Sequence, residues 1–514
     1  MHLQIKTNED GGNHVRLVMK SELTESAPYV ALSHCWGKSP PVKLLKTNLA
    51  SRIKCICLED LPKTFQDAIF VTKKMGINYI WIDSLCIIQD SPEDWEQEAA
   101  CMGQIYANCT CNIAATAASD GSGGLFFDRD TRLVSPVEVE IGYTAQGIAR
   151  KYHVTDESIC YGELTTYGEV WGLNTAPLTS RAWVCQERLS SPRTLHFGLN
   201  QVFWECREFS ACETFPDGDP NEPWMLAAKR PLSDLRNPQP SGYDNVVEHF
   251  DAWRNIIEFY TCASLTFESD KLVAISGLAA EIQDIVRVEY FAGIWNREIP
   301  LQLLWKTFPN GWGHRHEGYI APTWSWASVS GGCEVEPYHH GYEYKVDIVD
   351  ISVTTHGSSL LGQVKDGYLR IRGRLFQANI GPPLKKTKFP VPYLLIDGTL
   401  STDQSFKASD EKIELFSDVF LAEDGTEISG LKLILLPILE IENNMELGLV
   451  LEKEDTLDSV LRYTRWGWFR ALEPRVASTA TKYCKLFDEH LFKESGVQQV
   501  MDEKGTIKYE ITII

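Results

Sequence analysis

Three short stretches hold the side chains best suited to chemistry. The first is YIWIDSLCIIQD, Tyr79 to Asp90, where an uninterrupted apolar run breaks into Asp83, Ser84 and Cys86. A carboxylate, a hydroxyl and a thiol just past a buried parallel strand stand where open α/β sheets bind ligands. The second is YVALSHCWG, Tyr29 to Gly37, ending in Ser33, His34, Cys35, Trp36 and Gly37. A thiol and an imidazole suit nucleophilic catalysis, but neighbours on a strand face opposite sides, and such pairs usually come from separate segments. A packed thiol beside a hydrogen-bonded His is the plainer reading. The third is SRAWVCQERL, with Arg181, Trp183, Cys185, Glu187 and Arg188. Glu187 is either part of a helix ion-pair set with the two arginines or a carboxylate facing a ligand at the sheet edge.

The elements that must position these residues are legible from pattern. Tyr29 to Leu32, Tyr79 to Ile82 and Cys111 to Thr116 read as strands. DLPKTFQDAIFVTKKMG, Asp60 to Gly76, reads as a helix with Asp60 as cap, Pro62 in the first turn and Gly76 as stop. Strand, helix, strand is then a crossover of the right length for a parallel pair. Ser91 to Ala107 reads as a second helix, with Ser91 and Asp94 at capping-box spacing and Glu93, Glu96 and Glu98 near its positive end. Gly121, Gly123 and Gly124 make a loop near the same sheet edge that does not match a dinucleotide fingerprint. Residues 128–174 read as an insertion. Ser180 is placed to cap a short helix, and Thr194 to Phe197 with Gln201 to Cys206 reads as a hairpin.

Composition sets limits. The chain has 514 residues, 44% hydrophobic and 23% charged, as expected of a globular protein. Its formal charge of −21 disfavours nonspecific binding to nucleic acid or anionic membrane. No apolar run reaches the roughly 20 residues needed to cross a bilayer. The opening MHLQIKTNEDGG lacks the apolar core of an export signal, so a cytoplasmic protein is expected. The 14 cysteines contain no CxxC pair, so no metal site is expected and the thiols are read as reduced.

Past Phe215 the character changes. Tyr243 to Glu289 reads helical, and TWSWAS, Thr323 to Ser328, reads as a strand packed against the first domain. YKVDIVDISVT, YLRIRGRLFQANI, LKLILLPILEI, LGLVLEK and the closing ITII read as strands, with a helix near Ala477 to Glu494. The expected fold class is α/β, a doubly wound and mostly parallel sheet, followed by a helical segment and a β-rich C-terminal region. The expected domains are 1–214, 215–340 and 341–514.

YVALSHCWG, LPKTFQDAI, YIWIDSLCIIQDSPEDW, MGQIYANCTCNIAA, RAWVCQERLSSPR and PTWSWASV resemble, in order, the motifs of the fungal heterokaryon incompatibility (HET) domain, over about Tyr29 to Cys206. SGLA, Ser276 to Ala279, is similar to a stretch common downstream of that domain. The resemblance implies an intracellular protein of nonself recognition and regulated cell death. HET domains are themselves distantly similar to TIR domains, and RAWVCQERL is similar to the TIR helix whose glutamate cleaves NAD between nicotinamide and ribose. That mapping makes Glu187 the candidate catalytic carboxylate, with Trp183 and Cys185 as its helix neighbours; Asp83, His34 and Cys35 are the other candidate catalytic residues, and in the secondary-metabolism reading they line the pocket with Cys86. Ser33, Trp36, Gly37, Ser84, Cys86, Arg181 and Trp183 then line the ligand pocket. The insertion at 128–174 departs from the TIR spacing, and no Walker A sequence accompanies the domain. No cofactor is required under this reading, and NAD enters as substrate. The implied partners are a second copy, another incompatibility protein or a small-molecule ligand, and neither nucleic acid nor a membrane span. Two other readings stand beside it: a non-catalytic module that self-associates, and a small-molecule enzyme of secondary metabolism using the strand ends.

Overall fold

The structure is a computed structural model. It describes residues 1–7, 13–23, 27–37, 42–143, 149–154, 176–218, 229, 245–308, 313–337, 342–357, 359–380, 394–396, 412–418, 431–441, 445–454, 461–472, 497–503 and 505–514. These fall into two compact units, each described by itself. One comprises residues 1–252 with 262–266 and 273–285, and the other comprises 253–261, 267–272 and 286–514.

The first unit is built on one sheet. Its strands are β1 (His2–Thr7), β2 (Asn13–Val18), β3 (Val30–Ser33), β4 (Tyr79–Ile82), β5 (Cys111–Ala114), β8 (Arg193–Phe197), β9 (Val202–Cys206) and β10 (Ser210–Cys212). A separate hairpin, β6 (Val137–Tyr143) with β7 (Ala149–Val154), lies within the expected insertion. The sheet order is β10-β9-β8-β5-β3-β4-β1-β2. Only the central β8-β5-β3-β4 set is parallel; β9 and β10 on one side and β1 and β2 on the other run antiparallel. "Mostly parallel" is therefore corrected to a parallel centre with antiparallel edges. The reason is connection length: the β1-β2 and β8-β9 links are too short for a crossover helix, which parallel neighbours require.

Val30, Ala31 and Leu32 of β3 and Ile80, Trp81 and Ile82 of β4 are fully buried, as the unbroken apolar runs require. Helices α1 (Leu49–Lys54), α2 (Lys63–Lys74), α3 (Asp83–Cys86) and α4 (Pro92–Asn108) follow. The helix read from Asp60 begins later, at Lys63, with Pro62 as N-cap, because Leu58–Asp60 closes its own 3-10 turn. The α4 cap is also not the expected box. Ser91 Oγ donates to Glu93, while Asp94 turns back to accept the backbone N–H of Ile88 at 2.7 Å. Helix α5 (Ala182–Ser190) has Arg181 rather than Ser180 at its N-cap, since Ser180 Oγ donates to the Pro177 carbonyl instead. Every residue of α5 except Trp183 is buried.

Three contacts hold α5. Ala182 N–H donates to Ser264 O at 2.9 Å, Gly277 N–H donates to Gln186 Oε1 at 2.7 Å, and Ser191 Oγ donates to Glu187 O at 2.6 Å. A Cβ on Gly277 would stand 2.7 Å from both that Gln186 oxygen and the Gly103 Cα of α4. The SGLA stretch thus has a packing reason for its glycine.

The second unit carries the expected β-rich region. Its main path runs Asp347–Thr355, Val364–Gly373, Ile507–Ile513, Arg462–Leu472, Met445–Lys453, Lys432–Ile441, Phe376–Ile380 and Leu394–Ile396. The stretch read as helical, 243–289, contains the helices Asn245–Thr261 and Ser276–Val286, separated by 3-10 turns. TWSWAS is not a strand. Trp326–Ser328 is a 3-10 turn, because Ser325 Oγ accepts Ala327 N–H at 3.0 Å and Trp326 Nε1 donates to Gly293 O at 2.9 Å. The helix read near Ala477 to Glu494 lies outside the described residues. Among the described residues no helix is long and apolar enough to cross a membrane.

Candidate functional site

The register of the parallel centre assembles the site. Leu32 pairs with Ile82, and Ser33 pairs with Ala114, so the residues after each strand emerge side by side at one end of the sheet. His34 and Asp83 therefore meet, with Nε2 and Oδ1 2.8 Å apart. Trp36 Nε1 donates to the other Asp83 oxygen at 2.8 Å, and Ser84 N–H donates to Oδ1 at 2.6 Å. Burial alone would push the Asp83 carboxyl up. The His34 charge and hydrogen bond, with Arg181 and Trp36 behind them, outweigh it and hold the group below its ordinary value. Asp83 is an ionised anchor.

His34 has no nitrogen left for a nucleophile. Nδ1 faces the Cys35 carbonyl at 3.2 Å and Nε2 faces Asp83, so both positions look at acceptors. The ring packs edge-on against Phe65 at 4.8 Å. Cys35 is 6% exposed and its thiol is pushed up to about 11, first by burial, with Arg181 opposing. A thiol so far from the thiolate is a poor nucleophile, and the adjacent residues form no Cys–His dyad.

Arg181, at the start of α5, joins the third segment to the first two. Its Nη1 donates to the His34 carbonyl, and its positive charge favours the ionised forms of both Cys35 and Glu187. Glu187 is 5% exposed, and its Oε2 has no hydrogen-bond partner. Burial raises its carboxyl pKa, against the pull of Arg181 and the Ser33 hydroxyl, while the Asp83 charge raises it further. Ser33 is itself held by Asn112, whose Nδ2 donates to its Oγ at 3.0 Å. A lone Asn in the apolar run CNIAA was the signal that could have found this residue from sequence.

The site has two layers. Outside lies a cleft of about 280 Å³ lined by His34, Cys35, Trp36, Val42, Phe65 and Asp120, with Pro62, Lys63, Gly121 and Ser122 completing it. Beside it stand Ser33 and Glu187, both buried, with Asp83 and Arg181 half-buried. Glu187 does not line the cleft. Gly37 has φ +72°, and a Cβ there would stand 2.2 Å from that of Asp120, so the turn after β3 and the glycine loop touch through a missing side chain. Ser84 and Cys86 face the other way. Both are fully buried, Cys86 sits in the apolar core with its thiol pushed up to about 12 by burial, and neither lines the cleft. Trp183 is half-buried against that same core. Among the described residues no group of His, Cys, Asp or Glu is arranged to hold a metal.

Residues 29–187 match the family of heterokaryon incompatibility proteins (HET). This segment is a HET domain. It begins at β3 and ends on Glu187, so the three converging segments all belong to it. No curated protein and no solved structure matches the chain.

Proposed function

We propose that this protein works in nonself recognition and regulated cell death, that the centre around Arg181 is its working site, and that its reaction is NAD-glycohydrolase-like. A HET domain implies heterokaryon incompatibility. The single observation carrying the chemistry is Glu187, a carboxylate buried at the ends of parallel strands with one oxygen left unbonded. A buried polar atom without a partner is costly and calls for an explanation, of which use by a ligand or reaction is one.

In the reaction, the bond between ribose C1′ and the nicotinamide nitrogen breaks and nicotinamide leaves with the electron pair. Water adds to C1′ and gives its proton to solvent. The carboxylate of Glu187 would stabilise the cationic sugar between those events. Asp83, bonded to His34 and Trp36, fixes the floor, and the Arg181 charge acts on the Glu187 carboxylate. Because Glu187 lies behind the cleft, turnover requires Arg181 or the Cys35 wall to move aside, as a partner or a second copy bound to the domain would drive.

Purified protein incubated with NAD, with nicotinamide release followed by chromatography, tests this. Glu187→Gln is expected to lower turnover at least about a hundredfold, the scale of a lost charge-stabilising group. Turnover preserved in that variant removes Glu187 from the role. No turnover at any protein concentration removes the reaction.

A second reading rests on the outer layer. The cleft is walled by Trp36, Phe65 and Val42 and reaches His34 and Cys35 but not Glu187. A small aromatic metabolite would fit it, as expected of a small-molecule enzyme of secondary metabolism. Ligand-induced thermal stabilisation that Trp36→Ala abolishes and Glu187→Gln leaves alone favours this reading over the first.

A further inference from the structure

Behind α5, away from the Arg181 centre, lies a second set of buried charges that the proposed reaction does not use. Arg188 of α5 holds Glu205 of β9 with both arms, Nε donating to Oε2 at 2.8 Å and Nη2 to Oε1. His196 of β8 bonds Glu205 Oε2 at 3.0 Å through Nε2, and its Nδ1 stands 3.3 Å from Thr116 Oγ1. Lys229 enters the same space from beyond the matched HET segment. It is 2% exposed, and its ammonium donates to Ser191 O and to Thr194 Oγ1, each at 2.7 Å.

Those two acceptors flank the C-terminal end of α5. Ser191 is the residue whose hydroxyl caps the Glu187 carbonyl. Helix C-termini leave carbonyls unsatisfied and carry partial negative charge, so a cation there is stabilising. One chain of bonds thus runs from the Lys229 ammonium through Ser191 to the backbone of Glu187. We propose that Lys229 is a positioning residue: a cation from outside the HET segment that locks the end of the helix bearing Glu187.

The lock is charged at a cost. Lys229 shares its space with Arg188 and His196, which oppose its charge, and with Glu205, which favours it but is already held by both of them. The Cys109 and Cys111 thiols are the other titratable neighbours. Burial, the largest influence, pulls the ammonium pKa down to about 8. Among the described residues no other cation is seen at this helix end: α5 has Ser191, not a glycine, after its last residue, and the basic residue in its last turn, Arg188, bonds Glu205.

The functional importance of the lock rests on the Glu187 reading, but the lock itself does not. Amide hydrogen exchange of the full chain is compared for wild type, Lys229→Met and Lys229→Arg. At pH 7, Lys229→Met is expected to speed exchange of the 186–191 amides about tenfold or more, while β3 and β4 amides stay protected. Lys229→Arg, which keeps a cation, is expected to restore most of the protection. Unchanged α5 exchange in Lys229→Met, or equal loosening of the whole sheet, overturns the proposal. If NAD turnover exists, it falls in Lys229→Met. If wild type shows no turnover, the Glu187 reading fails and the exchange result still decides the lock.

Discussion

Two glutamates buried on opposite sides of α5 behave in opposite ways. Glu205 accepts three hydrogen bonds, from both arms of Arg188 and from His196, and its carboxyl is held far below the ordinary range despite burial. Glu187 is nearly as buried, but Oε2 is unbonded and its carboxyl is pushed up. Desolvation acts on both, so the difference lies in the partners. A saturated carboxylate is a girder. An unsaturated one in the same helix neighbourhood keeps capacity for something else.

The largest effect that would test this contrast is Glu205→Gln. Losing one member of a buried pair strands Arg188, and a stability loss of about 3–5 kcal/mol is expected in urea unfolding. A loss under about 1 kcal/mol would mean the pair is not the girder described.

Next is Asp83→Asn, expected to cost about 1.5–3 kcal/mol at pH 7 through weakened bonds to His34 and Trp36. The sign with pH is definite. Asp83 is lowered in the fold, so its contribution is full above the unfolded value of 3.8 and fades as pH falls through the lower folded value. The gap between wild type and variant should therefore close below about pH 4.

Glu187→Gln should show the reverse pattern. A raised carboxyl keeps its proton longer in the fold, so wild type loses stability as pH rises from the unfolded 4.5 towards the folded value. The variant lacks this loss. Its melting temperature relative to wild type should rise as the pH is raised above about 4. A flat difference would show that Glu187 is not the strained member.

The last effect belongs to Lys229. Its folded pKa of about 8 lies below the unfolded 10.5, so wild type should gain stability between those values as the buried charge is relieved. Lys229→Met should be flat over that window in parallel melts.

Much of the site was legible without coordinates. The apolar runs before His34 and Asp83 identified central strands, and the register then made the two side chains meet. Glu187 was singled out by its motif, but helical spacing did not foretell the influence of Arg181 on it, since residues six apart do not share a helix face. Position alone set Ser84 and Cys86 beside the cleft, which neither of them lines. Both follow Asp83 in one turn of helix and are fully buried, Cys86 within the apolar core. The antiparallel edges were also readable in principle from the short links between β1 and β2 and between β8 and β9.

What the amino-acid sequence determined by itself was local: which runs are buried on both faces, where helices stop, and which residues carry charge or thiols. Those properties depend on neighbours within one turn or strand. The tertiary structure alone decided which charges are saturated. Arg188 could have paired with Glu187, one residue away, but the fold gives it Glu205, and leaves Glu187 facing Arg181 with an oxygen unused. Lys229 could not be assigned to any partner until the chain brought it back beneath Ser191. Adjacent residues of a helix point to different sides, so the fate of each charge is set by what packs there from far along the chain.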